Sequence, residues 1–163
     1  MLTTKRLILR AARQSDLMDL FAIYSDARAM RYWSTPPHDT PTRTQENLDR
    51  MLIASGPLVY FVIEMDSRVI GTAGMHHDNE VGFLLHPDHW RKGIVREAMQ
   101  AIIPRIWAVT DVPYVMADAD PLNIASCGLL ENLGFHISHS ATNTFCINGV
   151  WSDSVYYRLY RPS

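Results

Sequence analysis

The segment that most constrains this chain is an apolar strand that runs through a basic turn into a helix. The strand ends near Leu85, the turn contains Arg91, Lys92 and Gly93, and helical residues follow from about Ile94. The start of a helix leaves backbone N–H groups unpaired at the positive end of the helix dipole, and such groups bind anions. Gly93 has no Cβ, so the backbone can approach a ligand closely. The segment predicts a phosphate or pyrophosphate site, but alone it fits an ordinary turn with solvated basic residues equally well.

Length, charge and cysteine content restrict the class of protein. A chain of 163 residues predicts a single domain spanning residues 1–163. The formal net charge of −2 gives no general attraction to nucleic acid, so any anion site must be a local cluster. No apolar run is long enough to cross a bilayer, and the N-terminus lacks the apolar core of a signal peptide. Cys127 and Cys146 are too few for a disulfide framework, which favours a cytoplasmic setting. We therefore expect neither nucleic acid nor membrane partners, and a monomer or a homodimer.

Hydrophobic periodicity and turn residues predict alternating strands and helices along the chain. The predicted strands cover residues 7–11, 58–65, 69–77, 80–85 and 114–119, with two or three more between residues 135 and 160. The predicted helices begin at Ser15 and cover residues 42–54, 93–108 and 124–133. In the first helix, Leu17, Leu20, Phe21 and Tyr24 share one face at helical spacing. This order predicts an α+β (mixed α/β) fold, in which helices cover a sheet.

Three further motifs, together with the basic turn, resemble a known family. Residues 123–135 follow the pattern N-x-x-S…L-x-x-L-G-F, residues 4–10 follow T-x-R-L-x-L-R, and residues 148–153 read N-G-x-W-x-D. In this order they resemble the Gcn5-related N-acetyltransferase (GNAT) superfamily and its RimJ/RimL-like branch, the protein N-terminal acetyltransferases. The resemblance implies a split, mostly antiparallel central sheet covered by helices. It also implies that acetyl-CoA lies in the split, between the strand ending at Leu85 and the strand near Tyr114.

The same resemblance implies which residues bind acetyl-CoA, the co-substrate. The basic turn would hold the pyrophosphate, the backbone of the preceding strand would pair with the pantetheine amides, and an asparagine at a helix cap would bond the pantetheine arm. The residues so implied are Phe83, Leu84, Leu85, Arg91, Lys92, Gly93, Ile94, Val95, Arg96, Asn123 and Ser126. Two positions depart from the family pattern, because Val95 replaces a small residue and Arg91 replaces a common glycine.

The acid that protonates the CoA thiolate is assigned by the same resemblance. Many members of the superfamily use a tyrosine seven residues after the asparagine, but Leu130 occupies that position here. In the RimJ/RimL-like branch, the serine that matches Ser126 is proposed for this role. Ser126 is therefore the candidate acid, and the alternative is an ordinary helix serine.

The general base is harder to assign, because Phe145 stands about where RimJ/RimL-like relatives place a glutamate. Glu80, at the entry of the strand that leads to the pocket, is the candidate. It shares a strand face with Gly82, which is expected to leave space for an acceptor amine. His76 and His77 are alternatives, since histidine titrates near neutral pH. A base is unnecessary if water relays the proton or if a neutral amine binds.

The implied function is an acetyl-CoA-dependent N-acetyltransferase that moves an acetyl group to a primary amine by direct attack in a ternary complex. The acceptor is either a protein N-terminal amine or a small-molecule amine. The missing tyrosine and glutamate leave open an alternative, a non-catalytic acyl-CoA-binding module. No metal is expected, because the histidines at positions 76, 77, 86 and 89 straddle two strands and a turn with no matching set of carboxylates.

Overall fold

Two antiparallel sheets form the β-structure of the computed structural model, which describes residues 1–163. The first sheet contains, in chain order, β1 (Leu2–Thr3), β2 (Ile8–Arg10), β3 (Tyr60–Met65), β4 (Arg68–Met75) and β5 (Val81–Leu85). The second contains β6 (Tyr114–Ala119), β7 (His136–Ile147) and β8 (Val150–Tyr160), with β8 in the middle. Every pair of neighbouring strands within either sheet is antiparallel.

Helices cover both faces of the five-stranded sheet. The helices are α1 (Leu17–Tyr24), α2 (Pro41–Ile53), α3 (Ile94–Val109) and α4 (Ile124–Asn132). Leu20 of α1 and Leu48 of α2 belong to one buried apolar cluster with Leu84 of β5, whereas Ile102 of α3 belongs to a larger cluster with Leu85. Neighbouring residues of β5 thus enter opposite layers, as the alternation of a strand requires. None of the helices combines the length and the apolar character needed to span a bilayer.

The two sheets separate between β5 and β6. These strands are each at the edge of a sheet, and α3 connects them in the chain. They are joined by one isolated parallel bridge, between Glu80 and Met116. Beyond that bridge β5 pairs with no strand except β4, so its second edge is open to a ligand, apart from the Leu85 carbonyl, which accepts a hydrogen bond from the Trp90 side chain.

The predicted fold class is confirmed, and the bounds of the long elements differ from the predicted ones by at most two residues. The short strand β1 was not predicted, because two residues carry no periodicity. The buried face of α1 also differs from the prediction, since Leu20, Ile23 and Tyr24 are buried while Leu17 and Phe21 are only partly covered. A 3₁₀ turn over Gln14–Asp16 precedes α1.

Candidate active site

A cleft lies where the two sheets separate. Its volume is about 2050 Å³, and its wall includes β5, β6, the first turns of α3 and α4, the proline-rich loop before α2 and the β7–β8 hairpin. Because both edge strands and two helix N-termini open into the same space, the cleft combines apolar surface with unpaired backbone donors.

The turn before α3 has the geometry of an anion site. Gly93 is the N-cap of α3 and is left-handed, with φ 70° and ψ 16°, and Arg91 also has a positive φ of 58°. The backbone N–H groups of residues 91–93 donate to no protein acceptor, and the first N–H groups of a helix have no partner within it. The indole Nε1 of Trp90 donates to the carbonyl of Leu85 at 2.9 Å, which ties the turn to the end of β5.

The structure brings most of the predicted turn residues to the cleft. Those that line it are Arg91, Gly93, Ile94, Val95 and Arg96. Lys92 is not among the lining residues, because its Nζ turns back and donates to the carbonyl of Asp88 at 2.7 Å. Of the three basic residues predicted at this turn, Arg91 and Arg96 therefore line the cleft.

The strand β5 presents its open edge to the same cleft. Phe83, Leu84 and Leu85 all line it, and their backbone pairs with β4 on the other side only. Leu84 and Leu85 are buried and Phe83 is half-buried, so their side chains anchor the strand in the two apolar layers. The open edge is thereby held rigid and can pair with an extended amide-containing ligand.

At the opposite wall, Asn123 and Ser126 both line the cleft at the start of α4. Asn123 is the N-cap, and its Oδ1 accepts the backbone N–H of Ser126 at 3.2 Å. The Asn123 Nδ2 and the Ser126 Oγ make no hydrogen bond to the protein, so both remain free for a ligand. Leu130, at the position where a tyrosine acid would stand, is only 1% exposed and packs in the core.

Glu80 lies at the closed end of the cleft, where the two sheets meet. Burial of this half-buried carboxyl raises the pKa of Glu80, and the negative charge of Asp118 on β6 raises it further. Burial, followed by repulsion from Asp120, likewise raises the pKa of Asp118, which also lines the cleft. The sequence analysis missed Asp118, because only the β5–β6 bridge places it near Glu80, and no local pattern marks that bridge.

The space above Gly82 is not open, contrary to the expectation from the sequence. A methyl group built on Gly82 would lie 3.2 Å from Nε2 of His76, so the imidazole fills the space kept for an acceptor amine. The ring of His76 packs on Tyr60 with centroids 4.2 Å apart, is exposed to the cleft and has no protein hydrogen-bond partner. Protein atoms crowded around the ring, and then the nearby His77, lower the pKa of His76. This lowered pKa favours the neutral imidazole, the form that can accept a proton.

Two other residues singled out in the sequence, Phe145 and His77, also line the cleft. Phe145 is 39% exposed on β7 and lines the cleft at the hairpin. His77 is exposed and lies 3.3 Å from the carboxylate of Asp78. The structure brings together no group of three or more His, Cys, Asp or Glu side chains that could hold a metal ion.

Comparison with known proteins agrees with this geometry. The profile of the acetyltransferase (GNAT) domain matches residues 6–136. A probable N-acetyltransferase, YjcK of Bacillus subtilis (strain 168), is 28% identical over 159 aligned positions, which cover 91% of this chain and 85% of that protein. The ribosomal protein uS5-alanine N-acetyltransferase of Escherichia coli (strain K12) is 28% identical over 176 aligned positions, which cover 99% of this chain and 91% of that protein.

The solved structures show the same fold. A spermidine N-acetyltransferase from Vibrio cholerae, in complex with CoA and spermine, matches with a TM-score of 0.82 over 96% of each chain. Its sequence is 20% identical, so this likeness concerns the fold alone.

Proposed function

Since this chain belongs to the acetyltransferase (GNAT) domain family and is an acetyltransferase, we propose that it moves an acetyl group from acetyl-CoA to a primary amine by direct attack in a ternary complex. Family membership favours an enzyme over a non-catalytic acyl-CoA-binding module. The observation that carries the proposal is the open edge of β5, which leads directly into the anion turn at Gly93. One continuous surface thus offers backbone pairing for an amide-containing arm and free N–H groups for a diphosphate.

The proposed donor site uses residues from three elements. The edge of β5 at Phe83, Leu84 and Leu85 pairs with the pantetheine amides, and Asn123 donates its free Nδ2 to the same arm. The diphosphate binds the turn residues that line the cleft, namely Arg91, Gly93, Ile94, Val95 and Arg96. Lys92 belongs to the turn but supports it from outside, through Asp88.

The chemistry requires a neutral amine and a proton for the departing sulfur. The amine nitrogen attacks the thioester carbonyl carbon, the C–S bond breaks, and the sulfur leaves as a thiolate. We assign Ser126 as the group that protonates this thiolate, because this residue lines the cleft and its Oγ makes no hydrogen bond to the protein. The proton lost by the amine goes to a base on the other side of the cleft.

Glu80 is the proposed base, and its raised pKa makes it a better proton acceptor than an ordinary carboxylate. His76 is the alternative, supported by the position of its Nε2 over Gly82 on the donor strand. The two differ in location, since Glu80 lies at the closed end of the cleft and His76 lies on its wall beside Tyr60.

For the acceptor, we propose a protein N-terminal amine, as in the RimJ/RimL-like branch. This choice is supported by the similarity to the uS5-alanine acetyltransferase and by the T-x-R-L-x-L-R opening. A small-molecule amine is the second candidate, supported by the similar fold of the enzyme bound to spermine. We further propose that residues 1–163 act as one domain, as a monomer or homodimer, in the reducing cytoplasm, since Cys127 and Cys146 are both free thiols.

A mass-spectrometric screen tests the acceptor. The protein is incubated with acetyl-CoA and a mixture of peptides with free N-termini, the same peptides with blocked N-termini but free lysines, polyamines and amino acids. Acetylation of the free N-termini, but not of the blocked peptides, is the expected result. Acetylation of polyamines or amino acids alone would replace the N-terminal acceptor by a small molecule.

A further inference from the structure

The opening T-x-R motif has no role in the site described above, yet it contacts the anion turn directly. Thr4 Oγ1 donates to Glu97 Oε1 at 2.6 Å, and the backbone N–H of Arg6 donates to the same oxygen at 2.9 Å. Arg6 Nε donates to Glu97 Oε2 at 2.6 Å. Glu97 lies in the first turn of α3, so both of its carboxylate oxygens are tied to the N-terminal segment.

Arg6 also reaches the turn itself. Its Nη1 donates to the backbone carbonyl of Lys92 at 2.8 Å, and its Nη2 would lie 3.8 Å from a methyl group built on Gly93. One guanidinium therefore holds the last carbonyl before Gly93 and the carboxylate of Glu97 together. Thr4 is itself fixed, because its Oγ1 accepts the N–H of Leu7 at 3.1 Å.

The hydrogen bond from Arg6 to the Lys92 carbonyl also affects the direction of the next backbone N–H, that of Gly93. In a planar trans peptide, the carbonyl oxygen and the amide hydrogen point in opposite directions. Anchoring the Lys92 carbonyl on Arg6 therefore turns the Gly93 N–H to the other side. Gly93 lines the cleft, whereas Arg6 and Lys92 do not. The contact thus directs the Gly93 N–H into the cleft.

The turn of residues 91–93 depends on contacts from other parts of the chain to keep its shape. Arg91 and Gly93 both have positive φ angles, and the N–H groups of residues 91–93 make no bond to the protein that would hold this shape. Left-handed backbone costs free energy at a residue that has a side chain. Burial alone would raise the pKa of Glu97, but the hydrogen bonds from Thr4 and Arg6 hold this pKa below its ordinary value and so favour the charged carboxylate.

We infer that Thr4, Arg6 and Glu97 form a clamp that positions the anion turn for the diphosphate of acetyl-CoA. This inference rests on the proposed function. The three are positioning residues, because none of them lines the cleft. They act through the orientation of the Gly93 N–H and of the first turn of α3.

A comparison of two acetyl donors tests the clamp. Acetyl-CoA has the diphosphate, whereas S-acetylpantetheine has the same thioester and amides but no phosphate. In Arg6→Lys, which keeps the charge but loses the planar fork, KM for acetyl-CoA is expected to rise at least about tenfold, with kcat at saturation nearly unchanged. The kcat/KM for S-acetylpantetheine is expected to stay within about twofold of that of the unaltered protein.

Matched variants separate geometry from charge. Lys5 lies between the two motif residues, and its side chain makes no hydrogen bond or ion pair to the protein. Lys5→Ala removes a positive charge nearby and should leave both donors unaffected. Glu97→Gln should repeat the effect of Arg6→Lys, because an amide cannot accept all three hydrogen bonds. If Arg6→Lys does not fold, Thr4→Val removes one hydrogen bond at nearly constant volume and should show the same selectivity for acetyl-CoA, to a smaller extent.

Two outcomes would overturn the clamp. Equal losses with both donors would make these residues general stabilisers of the fold, and an unchanged KM for acetyl-CoA in Arg6→Lys and Glu97→Gln would remove the role altogether. Failure of the proposed function is distinguishable, since the unaltered protein would then either bind no CoA by calorimetry or transfer acetyl from acetyl-CoA to no amine of the acceptor screen.

Discussion

Replacing Gly93 by aspartate tests the anion site most directly, and asparagine at the same position is its matched control. Gly93 is left-handed with φ 70°, a region that asparagine and aspartate tolerate better than other residues. A Cβ there meets only Arg6 Nη2, at 3.8 Å, so neither side chain is excluded by contact. The two variants therefore share the same backbone cost and differ by one negative charge.

The magnitude follows from that charge. A carboxylate about 6 Å from one phosphate charge, at an effective dielectric constant of about 20, is repelled by about 3 kcal/mol. The guanidinium of Arg6 lies beside the new side chain and offsets part of this repulsion. We expect Gly93→Asp to bind CoA at least about tenfold more weakly than Gly93→Asn, which corresponds to about 1.4 kcal/mol.

Isothermal titration calorimetry of both folded variants with CoA measures this ratio. Repeating the titration in high salt should shrink it, because screening weakens the repulsion between partly exposed charges. Equal affinities of the aspartate and asparagine variants at low salt would refute a diphosphate site at this turn, whatever the affinity of the unaltered protein.

Three further predictions concern catalysis and folding. Ser126→Ala should lower kcat roughly 10²-fold and leave KM for acetyl-CoA nearly unchanged, while a loss within about threefold would assign the protonation to water. In the folded protein the pKa of Glu80 is raised and the pKa of His76 is lowered, so the two values move towards each other. The pH at which activity falls therefore does not tell the two bases apart, and variants must identify the base. Activity falls as pH drops through the pKa of the base, and replacing that residue, by Glu80→Gln or His76→Gln, should flatten this acidic limb of the kcat profile; if neither does, no side-chain base operates. Gly74→Ala, whose Cβ would lie 2.2 Å from a backbone oxygen at φ 145°, should lower the free energy of unfolding in urea by about 3 kcal/mol, whereas Gly128→Ala in open space on α4 should not destabilise the protein.

The sequence determined those features that depend on interactions within a few residues. Asn148 and Gly149 both have positive φ angles at the hairpin turn, as an Asn-Gly pair predicts. Asn123 caps α4, and Gly93 starts α3 with the left-handed backbone that glycine favours. Strand alternation and helical periodicity, which are also local, placed the long elements to within two residues.

Only the tertiary structure decided which of these elements meet. Glu97 lies 91 residues from its partner Arg6, and Asp118 comes near Glu80 through a single bridge between two sheets. His76 fills the space over Gly82 because the β4–β5 pairing and the turn between these strands fold the imidazole back across β5. Strand register, helix docking angle and side-chain packing set such contacts, and they depend on the whole core rather than on neighbours in sequence. Local patterns therefore predicted the elements of the site. The proximity of Glu80 to Asp118, the position of the His76 imidazole and the clamp at the anion turn required the folded chain.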